Sequence, residues 1–373
     1  MSILLVGDVY SVFLDQLVRE LRKYGYTDKI DGLMLNPPAK RLPSAVDNCY
    51  CYDAPARRNR IFNILLLPFK LYKAFKLVRS IGHYDVVNIH FVQPYLPIFW
   101  KEIKKKAGKT VLSVWGSDFY RAGNRARKKL YKIFKECDAI TFTNEQSRQD
   151  FIKYYNDFER KSRVCSFGLE TLEIIKSIEN QKNKPRKIFD IPDDKIIISC
   201  GYASATGQQH EKIINIIKEL DASIRGKCLF IFPMTYGDMI YRKKIEQKLI
   251  KSGIDYLVLK DFMSYEEIAR LRLITDIMIH IPVSDQFSGS MQEILFCGNI
   301  VITGDWLPYK ILNDKGVFLL SIDSEEKLLE TLVYALDNLK ELKNRAHPNR
   351  DIIWNLSSWK VNAGKWYELY NSI

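Results

Sequence analysis

The feature that most constrains the fold of this chain is the segment from residue 276 to residue 304, DIMIHIPVSDQFSGSMQEILFCGNIVITG. Its apolar start, Ile277 to Ile281, predicts a β-strand, and the Ser, Asp and Gly residues between Val283 and Ser290 predict a loop. Met291 to Phe296 then predicts a helix, and Ile300 to Thr303 predicts a second strand. A strand, a loop, a helix and a strand in this order are typical of a parallel βαβ unit. We therefore expect a parallel sheet with crossover helices.

The same alternation of apolar strands and amphipathic helices runs through most of the 373 residues. A polar segment from Ser177 to Lys187 interrupts it and is interpreted as a linker. The pattern therefore predicts an α/β fold with two doubly wound, Rossmann-like domains of ordinary size. The predicted domains are 1–176 and 188–350, followed by a C-terminal helix within 351–373.

The loop of the βαβ unit has the features of a phosphate site. In open α/β sheets ligands bind at the carboxyl ends of the strands, and the N-terminus of the next helix offers unpaired N–H groups. Gly289 and Ser290 would supply such groups, Ser288 and Ser290 would add hydroxyls, and two carboxylates, Asp285 and Glu293, lie eight residues apart. Loops of this kind are often only connectors, so the phosphate site is a hypothesis.

Residues 276–304 resemble the nucleotide-sugar-dependent glycosyltransferases of the GT-B fold, in particular the large retaining family 4. Many of these enzymes carry Pro-Ser after the strand, then Glu-x-Phe-Gly, a second Glu eight residues after the first, and a Cys/Gly pair. The matching residues here are Pro282, Asp285, Phe287, Ser288, Glu293, Cys297 and Gly298. The chain departs from the pattern at Asp285, where the family has Glu, and at Ser288, where it has Gly.

Three other segments resemble a neighbouring family, the inverting Fuc4NAc transferases of enterobacterial common antigen synthesis. They are SVWGSD (113–118), GYASATGQQHEKI (201–213) and FPMTYGDMIY (232–241). The resemblances imply a GT-B fold whose two domains face a cleft. They also imply that the N-terminal domain binds the acceptor, that the C-terminal domain binds the nucleotide-sugar, and that the last helix returns to the N-terminal domain.

Negative charge on the departing diphosphate needs preorganised hydrogen-bond donors or cations. The candidates are the N–H groups of Gly289 and Ser290, the hydroxyls of Ser288 and Ser290, and the cations His210 or Lys212. Glu293 would bind the ribose hydroxyls, although a carboxylate in the first turn of a helix also interacts favourably with the helix dipole. Phe262 and Met263 would lie beside the base, and core packing explains them equally well. Enzymes of this fold usually need no divalent metal, so we expect no cofactor besides the nucleotide-sugar, which is a co-substrate.

The acceptor hydroxyl needs a base if the reaction inverts the anomeric configuration. Asp118 and His90, which follow predicted strands of the N-terminal half, are the candidates. His90 is equally explained as a structural histidine, and Asp118 as the cap of a helix that begins at Phe119. If the reaction retains the configuration, no enzymic base is required, and Asp285 becomes the more important carboxylate as a ligand of the sugar.

The positive charge of the chain is concentrated in its first half. Residues 1–168 hold 30 Lys and Arg against 16 Asp and Glu, whereas the remainder holds 27 against 28. Seven basic residues and no acidic one lie among apolar residues between Ala54 and Tyr84, and a second basic run covers 121–135. The seven are Arg57, Arg58, Arg60, Lys70, Lys73, Lys76 and Arg79. A basic amphipathic helix is typical of binding to an anionic membrane surface, although its apolar residues can also face the domain core.

These features predict a hexosyl-type glycosyltransferase with a lipid-linked saccharide acceptor, active in surface polysaccharide synthesis. No apolar run is long enough to span a membrane, and the seven scattered cysteines fit a reducing compartment. We therefore expect a cytoplasmic protein that is peripheral at the inner leaflet. The alternatives are a nucleotide-sugar 2-epimerase-like enzyme and a non-catalytic binder of nucleotides or nucleic acid. Nucleic acid is disfavoured, because no helix-turn-helix, zinc-finger or RNP-like motif occurs.

Overall fold

The chain forms two compact units, each built on one parallel sheet. The computed structural model describes residues 1–37, 42–53, 66–180, 185–285 and 287–373. The first unit is Met1–Gly168 together with Trp359–Ile373, and the second is Leu169–Ser358. The α/β class is therefore confirmed, with two doubly wound sheets.

The sheet of the first unit has seven strands in the order β3-β2-β1-β4-β5-β6-β7. The strands are β1 (Ile3–Val6), β2 (Ile30–Leu33), β3 (Cys49–Tyr50), β4 (Tyr84–His90), β5 (Ala107–Val114), β6 (Ala139–Phe142) and β7 (Ser162–Val164). The direction of the strand order reverses between β1 and β4, which pair in parallel from Ile3 to Val6. A reversal of this kind opens a crevice at the carboxyl ends of the two strands, where ligands bind in α/β proteins.

Helices cover both faces of this sheet. They are Val12–Lys23, Leu67–Ser80, Leu96–Lys104, Ser117–Tyr120, Asn124–Glu136, Glu145–Tyr155 and Trp359–Ser372, with a 3-10 turn at Glu159–Lys161. The first helix starts at the N-cap Ser11, whose side chain accepts a hydrogen bond from the Leu14 N–H at 3.4 Å. It buries Leu14, Leu17 and Leu21, whose spacing places them on one face.

The final helix, Trp359–Ser372, belongs to the first unit although the whole second unit precedes it in the chain. The indole Nε1 of Trp359 donates to the Gln16 side chain at 3.1 Å. Tyr370 accepts a hydrogen bond from Asn88 of β4 at 2.8 Å, and both aromatic side chains are about 1% exposed. The predicted return of the last helix is therefore confirmed.

The sheet of the second unit has six parallel strands in the order β10-β9-β8-β11-β12-β13. They are β8 (Ile196–Cys200), β9 (Cys228–Pro233), β10 (Tyr256–Leu259), β11 (Ile277–His280), β12 (Ile300–Gly304) and β13 (Leu320–Ile322). The order reverses between β8 and β11. The helices are Glu170–Ile178, Pro185–Ile188, His210–Glu219, Ala222–Arg225, Met239–Ile250, Tyr265–Ile274, Gly289–Phe296, Lys310–Asp314, Leu328–Asp337, Leu339–Ala346 and Asn349–Ser357, with 3-10 turns at Thr206–Gln208 and Glu325–Lys327.

The structural division differs from the predicted boundaries at both ends of the second unit. The helix Glu170–Ile178, most of which was assigned to the first domain, lies in the second unit and packs Leu172 and Ile175 into that unit's core with Met278. The backbone N–H of Leu169 donates to the carbonyl of Ser357 at 2.8 Å, which joins the start of this unit to its end. Apolar contacts distant in sequence therefore set the boundary, whereas the linker prediction relied on local polarity.

Candidate functional site

The predicted βαβ unit is present at the reversal of the second sheet. The helix Gly289–Phe296 follows the loop after β11 and is capped by Ser288, whose hydroxyl accepts a hydrogen bond from the Met291 N–H at 3.3 Å. Ser288 thus has a capping role, while Gly289 and Ser290 form the first turn, where N–H groups lack helical partners. This geometry is suitable for an anion at the carboxyl edge of the sheet.

The carboxylate of Glu293 is held by an arginine that the sequence analysis did not identify. Its Oε2 accepts a hydrogen bond from Nε of Arg272 at 2.8 Å, and the two side chains are only 9% and 5% exposed. Nη2 of Arg272 donates to the hydroxyl of Ser290 at 2.9 Å. Arg272 therefore compensates the charge of Glu293 and fixes it beside the first turn of the helix. The position of Arg272 among apolar residues in the segment LRLI could have indicated that this arginine is buried.

The carboxylate of Asp285 has different partners. The Tyr309 hydroxyl donates to its Oδ2. Nε2 of His280 lies 3.3 Å from that same oxygen and 2.7 Å from the Tyr309 hydroxyl. The His280 ring stacks against Tyr202, with ring centroids 5.7 Å apart. Burial, together with the charge of Asp285, raises the pKa of Tyr309 well above its ordinary range, so the phenol keeps its proton.

The two predicted cations of the diphosphate site occupy other environments. His210 is fully buried, and burial lowers its pKa to about 4, so the ring is neutral near pH 7. A Cβ atom at position 201 would lie 2.7 Å from Nε2 of His210. Because Gly201 has no side chain, the backbone can lie close to the His210 ring. Nζ of Lys212 is 2.6 Å from an oxygen of Glu325. Neither side chain therefore offers an uncompensated positive charge in this structure.

The two residues predicted beside the base differ in exposure. Phe262 is 88% exposed and lies in the segment after β10. Met263 is partly buried and packs against the core cluster that contains Ile231. The apolar ring of Phe262 is therefore available for stacking, whereas Met263 has a packing role.

A cavity of about 410 Å³ lies at the reversal of the first sheet. Its lining includes Asp8 after β1, His90 at the end of β4, Trp115 after β5, and Gln93 and Tyr95 before the helix Leu96–Lys104. Aromatic rings and amide groups provide surfaces on which a sugar ring can stack and hydrogen-bond. The cavity lies where the order of the parallel strands reverses, as expected for a ligand site.

His90, one of the two predicted bases, lines this cavity. It is 3% exposed, and burial lowers its pKa to about 3, so the ring is neutral. Nδ1 accepts a hydrogen bond from the indole N–H of Trp115 at 3.4 Å. The proton of a neutral ring then resides on Nε2, which is buried without a hydrogen-bond partner among the described residues. His90 is therefore a weak base, and its ring N–H is enclosed by the protein.

Asp118, the other predicted base, is occupied by backbone groups. Its carboxylate accepts hydrogen bonds from the N–H groups of Val92 at 2.8 Å, Trp115 at 3.0 Å and Gly116 at 2.8 Å. Burial raises its pKa, although these N–H groups act in the opposite direction. Asp118 is not among the residues that line the cavity. The predicted alternative, a cap for a helix that begins at Phe119, is wrong, because the helix begins at Ser117 and its N-cap is Gly116. The contacts of Asp118 instead fix the loop after β5.

Asp8 is a cavity residue that the analysis of the sequence did not assign to the site. It follows Gly7 at the end of β1, is exposed, and accepts a hydrogen bond from the Tyr10 N–H at 3.2 Å through Oδ1. A Cβ on Gly7 would lie 3.4 Å from the Cβ of His90, so the two strand ends are in close contact. The polar pair Gly7-Asp8 directly after the first strand could have indicated that Asp8 lies at the carboxyl edge of the sheet.

The helix Leu67–Ser80 presents an exposed surface of aromatic and basic residues. Arg57, Arg58 and Arg60 lie outside the described residues, whereas Lys70, Lys73, Lys76 and Arg79 lie on this helix. Ala74 and Val78 are buried, whereas Phe69 and Tyr72 are 48% and 67% exposed. Nζ of Lys73 lies 4.5 Å from the centre of the Phe69 ring. Part of the helix thus packs into the core, and part faces outward.

The core links this helix to the cavity, because the connecting ring, Phe99, is only 1% exposed. Phe75 of the helix contacts the Phe99 ring at 6.3 Å between centroids, and Phe99 contacts Tyr95, a cavity residue, at 6.4 Å. Ile98, near Tyr95, is 53% exposed. None of the described helices is both long and apolar enough to cross a membrane.

Comparisons with known proteins agree with this architecture. Residues 2–144 match the family model described as glycosyl transferase 4-like. Sucrose-phosphate synthase from Thermosynechococcus elongatus is similar with a TM-score of 0.76 and 14% identity, covering 100% of this chain and 98% of that protein. Anabaena HepE, solved with UDP and glucose, gives a TM-score of 0.70 and 11% identity, with full coverage of both chains. No curated protein sequence matches at a significant level.

A third similar structure is a UDP-forming α,α-trehalose-phosphate synthase from Burkholderia xenovorans. It gives a TM-score of 0.70 and 12% identity, covering 100% of this chain and 99% of that protein. At these identities the likeness concerns the fold. The chain has the GT-B fold of the glycosyltransferases, and the predicted resemblance is confirmed at that level.

Proposed function

We propose that this protein is a hexosyl-type glycosyltransferase that moves a sugar from a nucleoside-diphosphate sugar to a lipid-linked saccharide acceptor. It would act in surface polysaccharide synthesis while bound peripherally at the cytoplasmic leaflet of the membrane. The GT-B fold and the glycosyl transferase 4-like match support the reaction class. The observation that carries the acceptor proposal is the exposed aromatic and basic face of the helix Leu67–Ser80, which packs through Phe99 against Tyr95 of the first-unit cavity.

The second unit would bind the donor. The structure of Anabaena HepE contains UDP, and the nucleotide of the donor would lie at the carboxyl edge of the second sheet in this chain. The first turn of the helix Gly289–Phe296 would bind the diphosphate through N–H groups, and Glu293 would accept hydrogen bonds from the ribose hydroxyls. Negative charge grows on the departing diphosphate during transfer, so preorganised N–H groups accelerate the reaction.

The first unit would bind the acceptor. A terminal sugar in the cavity would contact Trp115, Tyr95 and the amide of Gln93. For an inverting reaction, Asp8 is better placed than Asp118 to take the proton of the acceptor hydroxyl, because it lines the cavity and is exposed. For a retaining reaction no enzymic base is required.

The lipid part of the acceptor would lie on the surface next to Tyr95. There Phe69 and Tyr72 would enter the headgroup region, and Lys70, Lys73 and Lys76 would interact with anionic lipids. Each basic residue near an anionic surface contributes about 1 kcal/mol, and this contribution falls off within a Debye length.

The test is sedimentation with vesicles of phosphatidylcholine and phosphatidylglycerol at low salt. We expect the wild-type protein to bind and to dissociate at high salt. A Lys70→Gln, Lys73→Gln and Lys76→Gln triple variant should bind about 10- to 100-fold more weakly, as three contributions of up to about 1 kcal/mol imply. The matched control changes Lys243, Lys251 and Lys315, exposed lysines of the second unit, to Gln. Equal loss in both variants, or no binding by the wild type, would contradict the membrane proposal.

Transfer itself is tested by nucleotide release from UDP-, GDP- and dTDP-sugars. Release that depends on an added polyprenyl-diphosphate saccharide would support the proposed reaction. Conversion of the nucleotide-sugar to its 2-epimer without an acceptor would instead identify an epimerase. Addition of EDTA should leave the transfer rate unchanged, since the donor site is proposed to act without a divalent metal.

A further inference from the structure

Phe91, the residue that follows β4, has a backbone conformation that aromatic residues rarely adopt. Its φ is +59°, in the left-handed region, where the Cβ of a side chain comes too close to the backbone. Three other non-glycine residues among those that the structure describes have a positive φ, namely Asn156, Asp190 and Gln209. Asn and Asp enter this region more readily, because their short side chains hydrogen-bond locally. The ring of Phe91 offers no such compensation, so its backbone is strained.

Hydrogen bonds on both sides of Phe91 hold this conformation. Its own N–H donates to the carbonyl of Ser113 in β5 at 3.0 Å. The next N–H, that of Val92, donates to Oδ2 of Asp118 at 2.8 Å. Asp118 also accepts a hydrogen bond from the N–H of Gly116 at 2.8 Å, so one buried carboxylate joins the loop after β4 to the loop after β5. Backbone strain persists where the surrounding structure over-determines it, and such strain is concentrated at ligand sites.

The strained backbone places the Phe91 ring at the first-unit cavity. The residue lines this cavity and is partly exposed. Its ring meets that of Trp115 edge to face, with 5.8 Å between the centroids and an interplanar angle of 75°. Glycine would make the same turn without strain, so the turn alone does not require a phenylalanine. The aromatic side chain is therefore what this position gains in return for the strain.

The rings of Phe91 and Trp115 form an apolar corner in a cavity that also has polar groups. The polar lining includes the carboxylate of Asp8 and the amides of Asn36 and Gln93. A sugar ring matches this combination, because its C–H groups form an apolar face and its hydroxyls, at the edge of the ring, hydrogen-bond. Apolar walls with a few polar groups that fix orientation are typical of small-molecule sites.

We propose that Phe91 is an acceptor-binding residue whose ring packs against the C–H face of the terminal sugar of the acceptor. Ser113 and Asp118 are then positioning residues, since their hydrogen bonds keep the backbone at 91 and 92 in the conformation that presents the ring. This inference rests on the proposed function, because it names a group that the acceptor contacts in the first-unit cavity.

The activity experiment measures KM for the acceptor and for the donor in the nucleotide-release assay. The acceptors are polyprenyl-diphosphate-linked N-acetylglucosamine, glucose and galactose, and the one that supports the fastest release by the wild type is used. Phe91→Gly and Phe91→Ala should each raise the acceptor KM about fivefold to tenfold, because an apolar contact on the order of 50 Å² is lost. The donor KM should not change. Phe91→Tyr retains the ring and should keep both values near those of the wild type.

The stability experiment follows urea unfolding of the same variants. Phe91→Gly should unfold at a higher urea concentration than Phe91→Ala, because alanine keeps the strain of a positive φ and glycine relieves it. This order reverses the usual one, since alanine has less freedom in the unfolded chain and is the more stable of the two where φ is negative. An alanine variant at least as stable as the glycine variant would contradict the strained conformation and overturn the inference.

The matched control is Phe13, whose ring also meets that of Trp115, with 5.3 Å between the centroids. Phe13 lies in the helix Val12–Lys23 and is not one of the described residues that line the cavity. Phe13→Ala should therefore leave the acceptor KM unchanged, and Phe13→Gly should be less stable than Phe13→Ala.

Three results would overturn the inference and leave the proposed function intact. They are a wild-type acceptor KM in Phe91→Gly, a rise in the donor KM equal to that in the acceptor KM, and an equal rise in the acceptor KM of Phe13→Ala. The second result would indicate a merely structural role for Phe91. If none of the three acceptors supports nucleotide release by the wild type, the proposed function fails and this inference fails with it.

Discussion

The carboxyl edges of the two sheets occupy equivalent places in similar folds but carry different chemistry. The first-unit cavity is lined by aromatic and amide side chains around a neutral His90. The edge of the second sheet carries the carboxylates of Glu293 and Asp285, each held by its own polar partners. The difference shows that one architecture can carry a largely uncharged cavity at one sheet edge and fixed charges at another. Under the proposed function, the first would receive the saccharide and the second the nucleotide-sugar.

The largest effect is expected at Arg272 in the second unit. Arg272→Ala leaves Glu293 buried and unpaired, so the free energy of unfolding in urea should fall by about 3–5 kcal/mol. Replacing both residues together, as Arg272→Met with Glu293→Met, should recover most of that loss, because two apolar side chains need no charge partner. If the double variant is no more stable than the single one, packing rather than charge pairing explains the effect.

The next effect is expected in the catalytic rate and concerns the first unit. Asp8→Asn should lower the rate of an inverting transfer at least about 100-fold, because an amide cannot take the proton of the acceptor. Donor affinity in the second unit should not change. Asp118→Asn is the comparison: it should destabilise the loop after β5 and lower the midpoint of urea unfolding.

Product stereochemistry, measured by NMR, decides how the Asp8 result is interpreted. A normal rate in Asp8→Asn together with a retained configuration would assign the sugar-binding carboxylate Asp285 the larger role. A normal rate with inversion would exclude Asp8 as the base.

The smallest effect is expected in the pH dependence of stability. Burial lowers the pKa of His90 to about 3 and of His210 to about 4, whereas an unfolded histidine titrates near 6.5. The unfolded chain therefore binds these protons first, and stability present above pH 6.5 is lost as the pH falls. Each histidine should contribute a slope of at most about 1.4 kcal/mol per pH unit, which amounts to about 2 kcal/mol over the range from about pH 6 to 4.5.

Urea unfolding at a series of pH values measures this slope. His90→Gln and His210→Gln should each make the curve flatter between about pH 4.5 and 6. An unchanged slope in both variants would mean that these rings can be protonated in the folded state.

The sequence predicted the fold well and the site only in part, for identifiable reasons. Periodicity and the segment 276–304 predicted the βαβ unit and the capped helix turn that follows its loop, because these depend on neighbouring residues. The partners of its carboxylates could not be predicted in the same way: Arg272 lies on the preceding helix and Tyr309 after the next strand. The low basicity of His90 could not be predicted from the sequence either, because its pKa depends on burial in the folded structure.

The discontinuity of the first unit has a consequence for biosynthesis. The helix Trp359–Ser372 supplies Trp359, Trp366 and Tyr370 to a core that otherwise consists of residues made before position 168. During translation the apolar face formed by Leu14 and Leu17 therefore waits, uncovered, while about 190 further residues are made. The second unit is continuous in the chain and does not face this delay. Ribosome-bound nascent chains of this protein thus expose an unfinished hydrophobic face for most of their synthesis, which makes them natural clients of chaperones.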